Sequence, residues 1–243
     1  MNLSHFIASI PDELNVNYVG VANLSKAHDF ILMQGGENIA AFPCAISIGI
    51  VLPSAIVDLL PQRKDKTVQV NYRHHAYDIV NERLDLAASV IAWRLQKAGY
   101  LAFPIPASRT GIDGRLCGSF SHKLGAHLSG LGWIGKSCLL VTPEHGPRVR
   151  WATILTDAPL EPTGESLEDR CGDCTQCVDI CPVHAFTGRH FLPDEPREAR
   201  YKANLCDRYF KALENRGELK VCGLCLYVCP FGRESQTAGK AAI

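Results

Sequence analysis

Eight cysteines fall in the last third of the chain, and their spacing is the feature best suited to chemistry. The first run reads Cys-x2-Cys-x2-Cys-x3-Cys-Pro, as in bacterial ferredoxins, where three thiolates bind one cluster and the fourth binds its neighbour. The second run reads Cys-x2-Cys-x3-Cys-Pro and lacks one member. This spacing predicts two [4Fe-4S] clusters. The eight residues are Cys171, Cys174, Cys177, Cys181, Cys206, Cys222, Cys225 and Cys229.

The crossover in the ferredoxin pattern divides these cysteines into two predicted ligand sets. The isolated cysteine between the runs, Cys206, supplies the member that the second run lacks. The first predicted set is Cys171, Cys174, Cys177 and Cys229. The second predicted set is Cys181, Cys206, Cys222 and Cys225.

Zinc and disulfides are the other common uses of dense cysteines. Zinc sites favour two separated Cys-x2-Cys pairs, whereas a tight triplet with a remote Cys-Pro is typical of ferredoxins. Disulfides belong to oxidising compartments, and the opening MNLSHFIASIPDEL lacks the basic start, apolar stretch and cleavage site of a secretory signal. We therefore expect a cytoplasmic protein with reduced thiols. The other three cysteines, Cys44, Cys117 and Cys138, are expected to be buried small residues.

The composition predicts an ordinary soluble globular protein, since 47% of residues are hydrophobic and 21% are charged. Basic and acidic residues number 25 each, and this zero net charge argues against nucleic acid as the main partner. The longest uncharged stretch, 39–57, contains Pro43 and Pro53. It predicts a buried strand followed by a turn and no membrane helix.

Short apolar runs alternate with helical patterns over residues 1–160, which predicts an α/β domain. The polar, acidic segment that follows predicts a boundary, so that 161–243 forms a small ferredoxin-like domain. Within the first domain, the run 44–52 predicts a strand buried on both faces. Apolar residues at three- and four-residue steps from Ile79 predict a helix that ends at Gly99.

Two further elements are predicted before the boundary. Ser121 to Leu128 has the pattern of a short helix. The segment SCLLVTPEHGPRVRWATILTDAP predicts a hairpin of two apolar strands, joined by a turn through Pro143 and Gly146.

A glycine-rich segment, GLGWIGK, lies between these two elements. Gly130, Gly132 and Gly135 permit close backbone approach to a ligand, and Lys136 could pair with a phosphate or carboxylate. Trp133 could pack on a flat cofactor or act as a core anchor. The spacing matches neither the dinucleotide fingerprint nor the Walker motif. A tight turn before a strand is the alternative interpretation.

The order of these features resembles a known family. GLGWIGKSCLL, WATILTDAPL, RCGDCTQCVDICPVHAF and CGLCLYVCPF follow one another as in epoxyqueuosine reductase and its iron-sulfur relatives, which include the reductive dehalogenases. The resemblance runs from about Tyr72 to Phe231. It implies a nitroreductase-like α/β domain that binds base-off cobalamin, joined to a ferredoxin-like domain with two [4Fe-4S] clusters.

The resemblance also implies an electron path. Electrons would come from a low-potential donor such as ferredoxin or flavodoxin, and would pass through the outer and inner clusters to cobalt. An electron-transfer or activator protein for a partner, such as a corrinoid protein, is the alternative. In that case the acceptor is a small-molecule or protein-bound corrinoid and the chain does no substrate chemistry itself. A flavin in place of cobalamin is a further alternative.

Two departures from the family limit what the resemblance implies. Where the family is expected to have an aspartate proton donor, this chain has His75, and Tyr77 is the donor in a dehalogenase-like arrangement. A solvated helix start is the other interpretation of His74 and His75. The chain also ends soon after Cys229, without the helical repeats that grip tRNA. Together with its zero net charge, this leads us to expect a substrate other than tRNA.

Overall fold

The computed structural model describes residues 2–108, 114–193 and 195–233. Helices and strands alternate in it, and the predicted mixed α/β class is confirmed. The strands are β1 (Tyr18–Asn23), β2 (Cys44–Val51), β3 (Ala102–Ile105), β4 (Trp133–Ile134), β5 (Leu140–Val141) and β6 (Val149–Thr156). The helices are α1 (Leu3–Leu14), α2 (His28–Gly35), α3 (Glu37–Ala40), α4 (Ser54–Val57), α5 (Lys66–Tyr72), α6 (Val80–Lys97), α7 (His122–Leu128), α8 (Gln176–Asp179), α9 (Ala203–Asn215) and α10 (Leu224–Tyr227).

The chain divides into two compact units that are interleaved in sequence. The α/β unit consists of the described residues of Met1–Ile50, Ile79–Gly132 and Arg150–Leu167. The cysteine unit consists of those of Val51–Asp78, Trp133–Val149 and Glu168–Ile243. Two segments from the first 160 residues thus belong with the cysteine motifs. A linear domain boundary near residue 160 stays a prediction.

The α/β unit is built on a sheet with strand order β1-β2-β6-β3. β1 pairs antiparallel with β2, and β3 pairs antiparallel with β6. β2 is the predicted apolar strand, and its residues between the two ends are buried. This confirms a strand where the long uncharged stretch lies. Within the described ranges, no helix has the length and hydropathy needed to cross a membrane.

The α6 helix packs against β3. Val80, Leu84, Ile91 and Leu95 are fully buried along one face. The helix ends before Gly99, which has a left-handed φ of 93°. The predicted helix is therefore confirmed, with its first turn at residue 80.

A π-helical segment, Arg73–Ile79, comes directly before α6. It follows α5, whose start is capped by the Asp65 carboxylate accepting from the backbone N–H of Thr67 at 2.7 Å. Wide π-helical turns are rare and occur frequently at functional sites. The predicted candidates His75 and Tyr77 lie on this segment.

The predicted hairpin is wrong. β5 pairs antiparallel with β4, whereas β6 lies in the four-stranded sheet. The turn between β5 and β6 is closed by an isolated bridge of Thr142 with Gly146. The apolar runs were recognisable from sequence, but the two-residue strand Trp133–Ile134 lies inside the glycine-rich segment and is too short to show alternation.

Candidate iron-sulfur site

The two cysteine runs of the cysteine unit have the same local design. Each continues into a single short helical turn, α8 in the first run and α10 in the second, and these two turns pack against each other. In each run a glycine with positive φ follows the first cysteine: Gly172 at 48° and Gly223 at 65°. Only glycine adopts this conformation without strain, so a residue with a side chain would strain the loop at either position.

The first four thiols lie close enough to influence one another. Burial raises the pKa of Cys177 to about 12, and the neighbouring Cys171, Cys229 and Cys174 contribute to that rise. Burial likewise raises the pKa of Cys229 to about 11, with Cys171 and Cys174 contributing. These four cysteines are the members of the first predicted ligand set.

The other four thiols form a second group. Burial raises the pKa of Cys225, and so do Cys222, Cys206, Cys181 and, last, Cys177. The pKa of Cys206 is raised by burial, then by Cys222 and Cys181. These are the members of the second predicted set. Cys177 acts on Cys225, so the two groups are neighbours.

Eight soft thiolate donors in two groups of four suit two [4Fe-4S] clusters chemically. In the part of the chain that the structure describes, no three His, Cys, Asp or Glu side chains converge on a point that could hold one metal ion. The four thiolates of a cubane bind separate irons and do not need to converge. The raised pKa values mean that cluster binding releases protons from these thiols.

Hydrogen-bond donors surround Cys171 and Cys229 in the first group. The backbone N–H of Lys136 and the indole N–H of Trp133 both lower the pKa of Cys171 against the larger effect of burial. The indole nitrogen is buried and has no partner at ordinary hydrogen-bond distance among the described residues. The backbone N–H groups of Phe231 and Gly232 act similarly on Cys229.

The second group has donors of its own. The Tyr201 hydroxyl lowers the pKa of Cys206, and the Arg63 guanidinium lowers that of Cys222, in each case against burial. The backbone N–H of Ala185 donates to the Cys181 sulfur at 3.3 Å. Hydrogen bonds to sulfur and nearby charge are the means by which proteins set cluster potentials.

Sequence reasoning missed Arg63 and Tyr201. Neither lies in a cysteine motif, and no spacing rule connects them with one. Tyr201 stacks on Phe186 with ring centroids 5.2 Å apart, and these two residues also form a β-bridge. An aromatic residue shortly before the isolated Cys206 was the only signal present in the sequence.

The glycine-rich segment is divided between the two units. Gly130, in the α/β unit, has a φ of 80°, and a Cβ atom there would lie 2.9 Å from the Glu165 carbonyl oxygen. The Gly132 carbonyl lies 3.0 Å from Nδ1 of His127. Both glycines therefore make close approaches to protein.

The rest of the segment lies in the cysteine unit. Trp133 is 1% exposed and meets Phe231 edge to face, with centroids 4.8 Å apart. A Cβ atom on Gly135 would lie 3.2 Å from the Cys171 sulfur. Lys136 is also buried. These three residues pack on the cysteine loops. Their role in binding a second cofactor stays a prediction.

The two proton-donor candidates belong to the cysteine unit, and both are half-buried. Tyr77 lies edge to face with Tyr72, with centroids 5.9 Å apart, and the Arg73 guanidinium lies 5.1 Å from the Tyr77 ring centroid. Tyr72 in turn packs on the second cysteine loop, where a Cβ on Gly223 would lie 3.1 Å from its hydroxyl oxygen. Tyr77 is thus one aromatic ring away from that loop.

The three cysteines outside the motifs differ in burial. Cys138 is buried, as expected, whereas Cys44 and Cys117 are partly exposed. The β2 residue Cys44 has a pKa raised by burial.

Residues 170–232 match the family model of the 4Fe-4S double cluster binding domain. The chain is therefore an iron-sulfur protein with a double-cluster domain. It is 35% identical over 195 residues to epoxyqueuosine reductase of Listeria monocytogenes. The match covers 77% of this chain and 48% of that enzyme. The chain spans less than half of the length of the curated relatives it matches.

Solved structures show the same fold. A reductive dehalogenase superposes with a TM-score of 0.69 at 18% identity, covering 98% of this chain and 33% of that one. An epoxyqueuosine reductase solved with an epoxyqueuosine-modified tRNA stem loop gives a TM-score of 0.58 at 18% identity, covering 96% and 66%. The chain is epoxyqueuosine reductase-like, as the resemblance in its motifs predicted.

Proposed function

We propose that this chain is an oxidoreductase that passes single electrons through two [4Fe-4S] clusters to a corrinoid bound by its α/β part, for reduction of a substrate. The observation that carries the proposal is the grouping of eight thiols into two neighbouring sets of four. A pair of such clusters supplies one-electron transfer. The chain's own residues hold the clusters, donate hydrogen bonds to the sulfurs and limit water access through burial.

Cys171, Cys174, Cys177 and Cys229 are the proposed ligands of cluster 1. The proposed ligands of cluster 2 are Cys181, Cys206, Cys222 and Cys225. Cys177 contributes to the raised pKa of Cys225, so a proposed ligand of cluster 1 lies near a proposed ligand of cluster 2. This supports direct electron exchange between the clusters.

The corrinoid is supported by the shared fold, since the superposed reductive dehalogenase is one whose structure suggests a mechanism for B12-dependent dehalogenation. Trp133, Gly135 and Lys136 are not assigned a contact with the corrinoid. His75 and Tyr77 are retained as candidate proton donors because the π-helical segment brings Tyr77 next to Tyr72, which packs on a cluster 2 loop. Donation from a phenol or imidazole within reach of a reduced substrate is ordinary general-acid chemistry.

Anaerobic purification followed by iron, sulfide and cofactor analysis tests the proposal. We expect about eight irons per chain from two cubanes, and a shift of added cobalamin's visible spectrum towards the base-off form. Iron content near zero would remove the whole proposal. Full iron with no spectral change would remove the corrinoid and keep the clusters.

An electron-transfer protein that serves a partner is the second candidate. It is favoured by the burial of Trp133, Gly135 and Lys136, which pack on the cysteine loops. His75→Ala and Tyr77→Phe distinguish the two. In a carrier, both variants should keep the rate of electron transfer to an artificial acceptor, and there is no substrate turnover to lose. In a reductase, both variants should lose substrate turnover. A yellow chromophore released by denaturation would instead identify a flavin.

A substrate other than tRNA stays a prediction. The tRNA stem loop in the relative's structure is a reason to test it, and the formal net charge of zero is a reason to expect weak binding. Electrophoretic mobility shift with a tRNA stem loop, at low and moderate salt, decides between them.

A further inference from the structure

Lys136 is the buried cation of the glycine-rich segment. The residue is 6% exposed, and its ammonium group donates to the Gly172 carbonyl at 2.6 Å and the Cys174 carbonyl at 3.3 Å. Both carbonyls belong to the first cysteine loop. Among the described residues, no carboxylate forms an ion pair with this ammonium group.

The backbone around Lys136 holds the same loop. A Cβ atom on Gly135 would lie 3.2 Å from the Cys171 sulfur, so the chain passes directly over that atom. Arg170 lies with its guanidinium carbon 5.7 Å from the centroid of the Trp133 ring. The segment Trp133–Lys136 therefore contacts the loop through backbone, ring and charge.

A cation in this position raises the reduction potential of a cluster. Reduction adds one negative charge to the cluster, and a positive charge held nearby in a poorly solvated place stabilises that state. A free lysine is rarely buried without a carboxylate partner, because the charge loses its hydration. Carbonyl dipoles compensate only part of that loss. The positive charge of the ammonium group therefore still acts on the first cysteine loop.

A negative charge near the loop opposes the positive charge of Lys136. The Asp169 carboxylate accepts from the Cys171 backbone N–H at 2.7 Å and pairs with His190, also at 2.7 Å. The negative charge of Asp169 lowers the potential of a neighbouring cluster, and its pairing with His190 weakens that effect. Lys136 is buried whereas Asp169 is half-buried, so the charge of Lys136 is less screened.

We propose that Lys136 is a positioning residue for cluster 1: its ammonium group clamps the Gly172 and Cys174 carbonyls and raises the reduction potential of that cluster. The inference rests on the proposed function only in requiring that cluster 1 is bound. It gives the second half of the glycine-rich segment a role in electron transfer that does not involve a second cofactor.

The test is an anaerobic redox titration of the intact protein followed by electron paramagnetic resonance. In Lys136→Met, we expect the one-electron equilibrium constant for reduction of cluster 1 to fall at least tenfold, which is about 59 mV towards lower potential for a one-electron couple. Lys136→Arg keeps the charge, so its equilibrium constant for reduction of cluster 1 should stay within about threefold of the parent's. Cluster 2 is the internal reference, and Lys66→Met, at an exposed lysine of α5, is the matched control.

The outcomes separate this inference from the proposed function. Iron near zero in the parent protein removes the proposed function. Full iron with an unchanged potential in Lys136→Met overturns the inference alone, as does an equal shift in Lys66→Met. If Lys136→Met loses cluster 1, Lys136→Gln is titrated instead, because it keeps an N–H donor for the carbonyls and removes the charge. An unshifted potential in that variant overturns the inference.

Discussion

Asp169 and Cys171 are joined by a hydrogen bond of 2.7 Å from the backbone N–H of the cysteine to the carboxylate of the aspartate. The second carboxylate oxygen accepts from Nδ1 of His190, also at 2.7 Å. Burial acts to raise the pKa of Asp169, but the hydrogen bonds from Cys171 and His190 outweigh it and lower the pKa below its ordinary value. The aspartate thus fixes the start of the first cysteine loop as a charged acceptor.

Removal of this acceptor should make cluster 1 labile. In Asp169→Ala, the Cys171 N–H loses its partner at a cost of about 1 kcal/mol, which corresponds to roughly fivefold faster iron loss if the loop must open first. Bleaching of the visible absorption by a chelator, measured anaerobically, gives the rate. Asp169→Asn is the matched control, because it keeps an acceptor for Cys171 and should be less affected. Equal rates in all three proteins would contradict the expected role.

The two ligand sets predict selective loss of one cluster at a time. Cys177→Ala should remove cluster 1 and Cys225→Ala should remove cluster 2, each lowering the iron content from about eight to about four per chain. Cys44→Ala, at a partly exposed cysteine on β2, should keep the full content. Paramagnetic resonance of the two cysteine variants should give two different residual signals. Identical residual signals would show that the sets are wrongly divided.

The cysteine motifs could be interpreted from sequence because ligand spacing within a run is a local constraint on the chain. The isolated Cys206 could be assigned to the second predicted set, since only one position in that set was left open. The β2 strand and the α6 helix could be predicted for the same reason, because their apolar periodicity is local.

Contacts across long sequence distances could not be predicted. Nothing in the sequence near Arg63 indicates that its guanidinium acts on Cys222, or that 51–78 belongs to the cysteine unit. The glycine-lysine segment shows the limit most clearly. Its composition suggested a ligand for the Lys136 ammonium group, but only the three-dimensional structure shows that the group binds carbonyls of the chain itself. The π-helical turn at Arg73–Ile79 likewise has no sequence pattern of its own.

Gly172 and Gly223 occupy the same position in the two cysteine runs but have different surroundings. A Cβ atom on Gly172 would meet nothing within 4 Å among the described residues, whereas one on Gly223 would lie 2.8 Å from Leu60 Cδ1 and 3.1 Å from the Tyr72 hydroxyl. Gly172→Ala should therefore cost only the left-handed strain of about 1 kcal/mol. Gly223→Ala adds overpacking of about 1–3 kcal/mol and should selectively reduce cluster 2 occupancy. Iron content and residual resonance signals of both variants check this, and an equal loss in the two would contradict it.

The last prediction concerns the acid sensitivity of the α/β unit. The ring nitrogens of His122, at the start of α7, each lie 2.9 Å from an oxygen, one from the Thr153 hydroxyl and the other from the Pro106 carbonyl. Burial lowers the pKa of His122 below its ordinary value, although the Pro106 carbonyl and Asp85 act to raise it. The ring is therefore neutral in the folded protein at pH 7.

Because the folded pKa of His122 is the lower one, the unfolded chain binds a proton first as the pH falls. The contribution of His122 to stability is complete above the unfolded pKa of about 6.5, and is lost as the pH falls from there towards the folded pKa. The urea midpoint, followed anaerobically by tryptophan fluorescence, should fall between about pH 7.5 and about pH 5.5. His122→Gln should show a smaller fall over the same interval, whereas His28→Gln, at an exposed histidine at the start of α2, should behave like the parent. A pH dependence that is unchanged in His122→Gln would show that other groups are responsible for it.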